Sequence, residues 1–199
     1  MAKVKEKGME MVFLLAACVS ILAVALICIF LFAKGLPAIG KIGVAKFLTG
    51  TDWKPTNGIF GILSMIVGSL YVTAGALLIG VPIGILSATF LAKFCPSWLY
   101  KPLKAGVNLM AGIPSVVYGF FGMCVLVPLC RSLFGGTGNS ILTASALLGM
   151  MILPTIIGVS ESAIRAVPDY YYKGALALGA THERSVFLTV LPAAKSGIL

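Results

Sequence analysis

The sequence predicts an all-α polytopic membrane protein of about four spanning helices, with one polar two-helix loop between spans. Composition comes first: hydrophobic residues make up 59% of the 199 and charged residues only 11%, with a mean hydropathy of +1.06. Length comes second, because at roughly 20 to 25 residues per crossing plus loops a chain of this size holds four spans. Pattern comes third. The apolar runs have a helical period or none, and none alternates over ten-residue segments, which favours spanning helices over a membrane barrel. The net charge of +9 would point to nucleic acid in a soluble chain. Here the basic residues flank apolar runs, so the lipid bilayer and membrane topology account for them and no nucleic-acid partner is expected.

Residues 1–10 carry Lys3, Lys5 and Lys7 against Glu6 and Glu10. They form an expected cytoplasmic tail ahead of a first span at 11–33, which is too long for a signal-peptide core and lacks a small-x-small cleavage site before Lys34. Residues 34–58 are expected to be an extracytoplasmic polar loop. Within it GLPAIGK, at 35–41, has the glycine and lysine spacing of a phosphate-cradling loop, but Ile42 stands where a magnesium-binding hydroxyl is needed and a span, not a strand, precedes it. The chain therefore carries no nucleotide site of its own by this reading. No cofactor and no metal are expected, and the five cysteines, set in or beside apolar runs, serve as small apolar fillers.

The apolar run at 59–91 exceeds one crossing, so it must tilt or begin with a helix at the outer interface. Pro82 can kink it, and Gly80 with Gly84 form a small-xxx-small pair that lets another helix approach closely. Ser69, Tyr71 and Thr73 are its interior hydroxyls, bonded either to the helix's own carbonyls or to a substrate. Lys93, Lys101 and Lys104 gather in an expected short cytoplasmic loop with Pro96 and Pro102. A third span is expected over 105–129. Its AGIPSVVYGFFG stretch, with Ser115 and Tyr118, suits either a helix lining a path between moving halves or tight helix packing. A glycine-rich outer turn, RSLFGGTGNS, leads into a fourth span at 141–160 kinked at Pro154. At its inner edge Glu161 and Arg165, four apart on one helical face, can pair with each other and snorkel to water, or serve as a gate or substrate contact.

The polar stretch at 169–192, DYYYKGALALGATHERSVFLTVLP, follows. Ala and Leu favour a helix up to Leu178, Gly179 breaks it, and Thr181 caps a second helical piece that runs to Pro192. Two short helices joined by a sharp bend make either a knob for a partner or an ordinary amphipathic connection. With the amino terminus inside, ten of the 15 Lys and Arg residues fall on the inner side (Lys3, Lys5, Lys7, Lys93, Lys101, Lys104, Arg165, Lys173, Arg184, Lys195), leaving five outside. The bend is then cytoplasmic.

A two-helix loop ending in Leu191-Pro192 resembles the coupling loop of ABC importer permeases, patterned Glu-Ala-Ala, three residues, Gly, nine residues, Ile, one residue, Leu-Pro. Gly179, Leu191, Pro192 and Ala175 match it; Lys173 stands in place of Glu, Gly174 in place of the first Ala, and Thr189 in place of Ile. The runs FLTGTDWKPTNGIFGILSMIVGSLYVTAGALLIGVPIGILSA, AGIPSVVYGFFG and SESAIRAVPDYYYKGALALGAT are similar to the PstC-type permeases of bacterial phosphate-specific importers. The resemblance covers nearly everything after residue 45. It implies an incomplete ABC permease domain over 59–199, with further spans in family members beyond Leu199. It also implies ABC ATPase subunits docking on Lys173, Gly174, Ala175, Gly179, Leu191 and Pro192, a second homologous permease and an extracytoplasmic phosphate-binding protein. The expected location is a bacterial inner membrane. Such a permease is not an enzyme: ATP is hydrolysed in a separate subunit, and Ser69, Thr73, Ser115, Tyr118, Glu161 and Arg165 are the groups available for a translocation path or gate.

Other classes fit less well. A membrane enzyme would need a base or metal set, and His182 is the sole histidine. A secondary transporter commonly uses interior acidic residues, which the spans lack if Glu161 lies at an edge. An ABC permease for molybdate or sulfate shares the scaffold, and phosphate rests on the resemblance alone.

Overall fold

The computed structural model describes residues 2–198, with side chains from residue 7 onward. The side chains of Lys3 and Lys5, counted above with the inner charges, lie outside the described residues, as does Leu199 at the end of the expected 59–199 domain. The chain divides into two compact units, Met1–Ile66 and Val67–Leu199.

The first unit opens with helix α1, Ala2–Ile42, followed by α2, Val44–Thr49, after a turn at Gly43. The expected tail is thus helical from Ala2, and the expected loop at 34–58 is helical over its first part. Apolar residues surround α1, so nothing in its composition stops it at Lys34, and Pro37 lies within it. The GLPAIGK segment is helix, which lacks the open backbone amides that a phosphate cradle presents. Strands β1, Trp53–Lys54, and β2, Ile59–Phe60, then pair antiparallel around a 3-10 turn at Pro55–Asn57, which Gly58 closes at φ 69°. Trp53 meets Phe60 edge-on at 5.7 Å. The hairpin seats tightly because Gly50 and Gly61 touch backbone to backbone: a Cβ on Gly50 would stand 2.8 Å from Gly61 Cα. The residues from Ile59 are therefore a strand, not an interfacial helix.

The second unit is built on α3 (Leu63–Thr89, extended by a π-turn at Phe90–Phe94) and α7, Ile141–Ala166. They cross where α3 has no side chains. A Cβ on Gly80 would meet Ile152 Cδ1 at 3.0 Å, and one on Gly84 would meet Ile156 Cγ2 at 2.5 Å. The expected close approach at Gly80 and Gly84 is realised, with α7 as the partner helix.

Between them the chain departs from expectation. Lys101 and Lys104 lie in a helix, α4, Ser97–Gly112, not in a loop. The third spanning helix starts at Ser115, not near residue 105. Pro114 forces Ile113 into extended backbone at ψ 123°, so AGIPSVVYGFFG is a helix break and a new helix start. That span consists of α5, Ser115–Phe121, a π-turn at Gly122–Leu126, and α6, Val127–Phe134. Gly135, Gly136 and Gly138 then turn with positive φ, and the Ser140 hydroxyl accepts from Thr143 N at 3.3 Å to cap α7.

The chain ends in α8, Asp169–Ala177; α9, His182–Ser185; a π-turn at Val186–Val190; α10, Leu191–Ala193; and α11, Lys195–Ile198. The π-turns at Gly122–Leu126 and Val186–Val190 each run on as helix through a proline two residues later, Pro128 and Pro192, whereas the one at Phe90–Phe94 ends its helix ahead of Pro96. Proline lacks an amide and its ring clashes with the carbonyl four residues back; widening the preceding turn accommodates both faults. The helix therefore runs through Pro192 instead of stopping before it.

The buried core, Ala88, Leu91, Ile157, Ile164, Val167, Val190 and Ala194, gathers the ends of α3 and α7 with the helix after the bend. Among the described residues, four helices are long and apolar enough to cross a membrane: Lys7–Ile42, Leu63–Phe94, Ser115–Phe134 and Ile141–Ala166. The protein is an all-α multi-pass membrane protein.

Candidate functional site

The stretch between Ala166 and Ala194 is an elbow whose geometry follows from its residues. Helix α8 ends in a Schellman motif: Gly179 N donates to Leu176 O at 2.9 Å and Ala180 N to Ala175 O at 3.1 Å, with Gly179 at φ 84°. Thr181 then starts α9, its hydroxyl accepting from Arg184 N at 3.4 Å. The Glu183 carboxyl is held below its ordinary value by its own backbone amide and by the Thr181 side chain. Both the break at Gly179 and the cap at Thr181 match expectation.

The outer surface of the bend is apolar and basic. Leu178 is 91% exposed, and Lys173, Gly174, Leu176, Gly179 and Pro192 are exposed, while Ala175 and Leu191 are half-buried. The inner surface is tied to the end of α3. Tyr172 Oη lies 2.7 Å from His182 Nδ1. The His182 ring stands edge-on to Phe94 at 4.7 Å, and Lys93 Nζ sits 5.8 Å from the Tyr172 ring centre. His182, considered above only as a metal or catalytic group, is a packing residue of the elbow.

At the elbow's root lies a charged node. Glu161 is 2% exposed and not at a solvated edge as expected. Its Oε1 accepts from Tyr100 Oη at 2.7 Å and from Arg165 Nε at 2.9 Å, and its Oε2 from Lys104 Nζ at 2.7 Å. Arg165 also donates from Nη2 to Leu91 O at 3.0 Å and lies over the Tyr100 ring at 4.8 Å. The expected pairing of Glu161 with Arg165 is present, and the Arg165 side chain is the more exposed of the two cations, at 46% against 30% for Lys104. A buried carboxylate persists only when its lone pairs are filled, which Tyr100, Lys104 and Arg165 together do. Sequence reasoning missed Tyr100 and Lys104, which lie 61 and 57 residues away.

The other expected path residues lie apart from this node. Ser69 and Thr73 are exposed one turn apart on α3, Ser115 is exposed at the start of α5, and Tyr118 donates to Met110 O at 3.0 Å, bridging the α4–α5 break. A mainly apolar cavity of about 380 Å³ opens near the glycine-rich turn before α7, lined by Val72, Gly122, Asn139, Ser140, Thr143 and Leu147 among others; none of the four hydroxyl residues lines it.

Fold and elbow together define a class: a multi-pass helical membrane protein with a capped, apolar-tipped bend following a long spanning helix. The family model for binding-protein-dependent transport system inner membrane components matches residues 80–199. The chain belongs to that family. It is 40% identical to the probable ABC transporter permease protein YqgH of Bacillus subtilis over 93% of its own length and 62% of that protein's. It is 34% identical to the phosphate transport system permease protein PstC of Mesorhizobium japonicum, covering 87% of this chain and 59% of that protein. It is 31% identical to the phosphate transport system permease protein PstC 2 of Mycobacterium tuberculosis, covering 90% and 62%. The chain thus spans about three fifths of the length of the relatives it matches. No solved structure matches it at a significant level.

Proposed function

We propose that this chain is a permease component of an ATP-driven inorganic phosphate importer of a bacterial cell membrane, forming part of the translocation path. ATP is hydrolysed in a separate ABC ATPase subunit that docks on the elbow. A second homologous permease and an extracytoplasmic phosphate-binding protein complete the assembly, with the amino terminus and the elbow on the cytoplasmic side.

The observation that carries this function is the elbow itself: an exposed helical bend whose Gly179, Leu191 and Pro192 keep the spacing of a coupling loop and whose tip, Leu178, is almost fully exposed. An amphipathic helix with an apolar tip fits a groove on a partner, and its stiff caps let it transmit a push without bending. Phosphate is supported by the relatives named phosphate transport permeases. Lys173 in place of the family's Glu favours a carboxylate on the facing wall of that groove.

The test is uptake of radiolabelled phosphate, molybdate and sulfate by the complete importer carrying this chain, with active or hydrolysis-dead ATPase. Phosphate uptake that needs hydrolysis supports the proposal. Uptake that survives ATP depletion but not a proton ionophore would contradict it, and a preference for molybdate or sulfate would reassign the substrate.

A further inference from the structure

The node around Glu161 occupies an unusual position. It joins three segments far apart in sequence: α4 through Tyr100 and Lys104, α7 through Glu161 and Arg165, and the end of α3 through Leu91 O. That same end of α3 is held to the elbow by Phe94 against His182 and by Lys93 over Tyr172. The far end of α4 is tied to the third spanning helix by Tyr118, which reaches back to Met110 O across the Ile113–Pro114 break. Packed side chains and hydrogen bonds thus run without interruption from the elbow to the start of a spanning helix.

Glu161 is the member on which the others converge. Without its charge, Lys104 and Arg165 would be two cations close together with no anion between them, and α4 would lose its ion pair to α7. Beyond the node and the Arg165 guanidinium over the Tyr100 ring, α4 meets the core through apolar residues such as Val107, which packs against the cluster that includes Leu91 and Ile157. A multiply bonded buried carboxylate fixes one register where apolar packing alone admits several.

We propose that Glu161 is a positioning residue. Its carboxylate locks α4 to α7 at the root of the elbow, so that a displacement of the elbow is carried to the Ile113–Pro114 break at the head of the third spanning helix. This role differs from contact with the transported ion, and it rests on the elbow being where the motor acts.

Two readouts test it. In the complete importer, Glu161→Gln and Lys104→Met lower the phosphate moved per ATP hydrolysed by about fivefold or more, while assembly and hydrolysis persist and Lys104→Arg behaves as the unaltered chain. Separately, spin labels are placed at Leu109 of α4 and Leu178 at the elbow's tip, both widely exposed, in the full chain with its five native cysteines replaced by alanine. Their single narrow distance is lost in Glu161→Gln and in Lys104→Met and kept in Lys104→Arg. An unchanged distance and an unchanged transport ratio in both neutral variants would overturn the proposal. If the unaltered importer moves no phosphate but the distances behave as stated, the lock stands and the assigned function falls.

Discussion

Tyr172 Oη and His182 Nδ1 lie 2.7 Å apart across the bend at Gly179, closing the elbow with a hydrogen bond between its two helices. The bond joins residues ten apart in sequence and holds the angle that the Schellman motif sets. Tyr172→Phe keeps the ring packing and removes only this bond, at a cost of about 1 kcal/mol. Amide exchange in α9 should then accelerate about fivefold relative to the unaltered chain while exchange in α7 stays the same. Equal exchange would mean that the bond does not hold the elbow.

Gly179 sits at φ 84°, and a Cβ there would meet nothing within 4 Å. The penalty of substitution is therefore conformational and independent of side-chain size. Gly179→Ala should destabilise the elbow by roughly 1 to 2 kcal/mol, and Gly179→Asn by less, because Asn tolerates the left-handed region. In the assembled importer the order changes: Gly179→Trp should abolish uptake while membrane insertion persists, since bulk at the tip blocks a groove. Thermal unfolding for the isolated chain and phosphate uptake for the complex check the two halves.

Gly84 marks a tight approach of α3 to Ile156 of α7. Gly84→Ala should cost about 1 to 3 kcal/mol through overpacking. Ile156→Ala in the same chain should recover much of that loss, whereas the two effects would simply add if the helices did not meet there. Unfolding in mixed detergent and denaturant measures both.

Glu183 has its carboxyl lowered from the ordinary 4.5 by its own amide and by Thr181. A depressed folded value means that the carboxylate's contribution to the α9 start is complete above pH 4.5 and is lost as pH falls through the lower folded value. Protection of the Arg184 and Ser185 amides should drop across that acid window in the unaltered chain. In Glu183→Gln it should be lower from the outset and flat.

Much of this arrangement is legible in the residues because it is local. Gly179 and Thr181 announce a helix end and a helix start, Gly80 and Gly84 announce a crossing, and Glu161 with Arg165 announce a pair one turn apart. The misjudged features are competitive or distant. In the sequence Pro114 reads as loosening a helix, yet its effect on Ile113 ends α4 outright and moves the third span ten residues along. In the sequence Pro192 reads as a stop, but the π-turn before it lets the helix continue. The burial of Glu161 depends on Tyr100 and Lys104, whose approach is set by the packing of α4 on α7 and leaves no periodic trace in the sequence.

The central claim is that the elbow is a cytoplasmic contact for an ATP-hydrolysing partner. Leu178→Cys, at its widely exposed tip, tests this directly in the assembled importer with purified ATPase subunit. The account predicts that a short bifunctional thiol reagent joins this position to the ATPase and that a membrane-impermeant maleimide added to intact cells leaves it unlabelled. Labelling from outside, or no cross-link to an ATPase that is present and active, would contradict it.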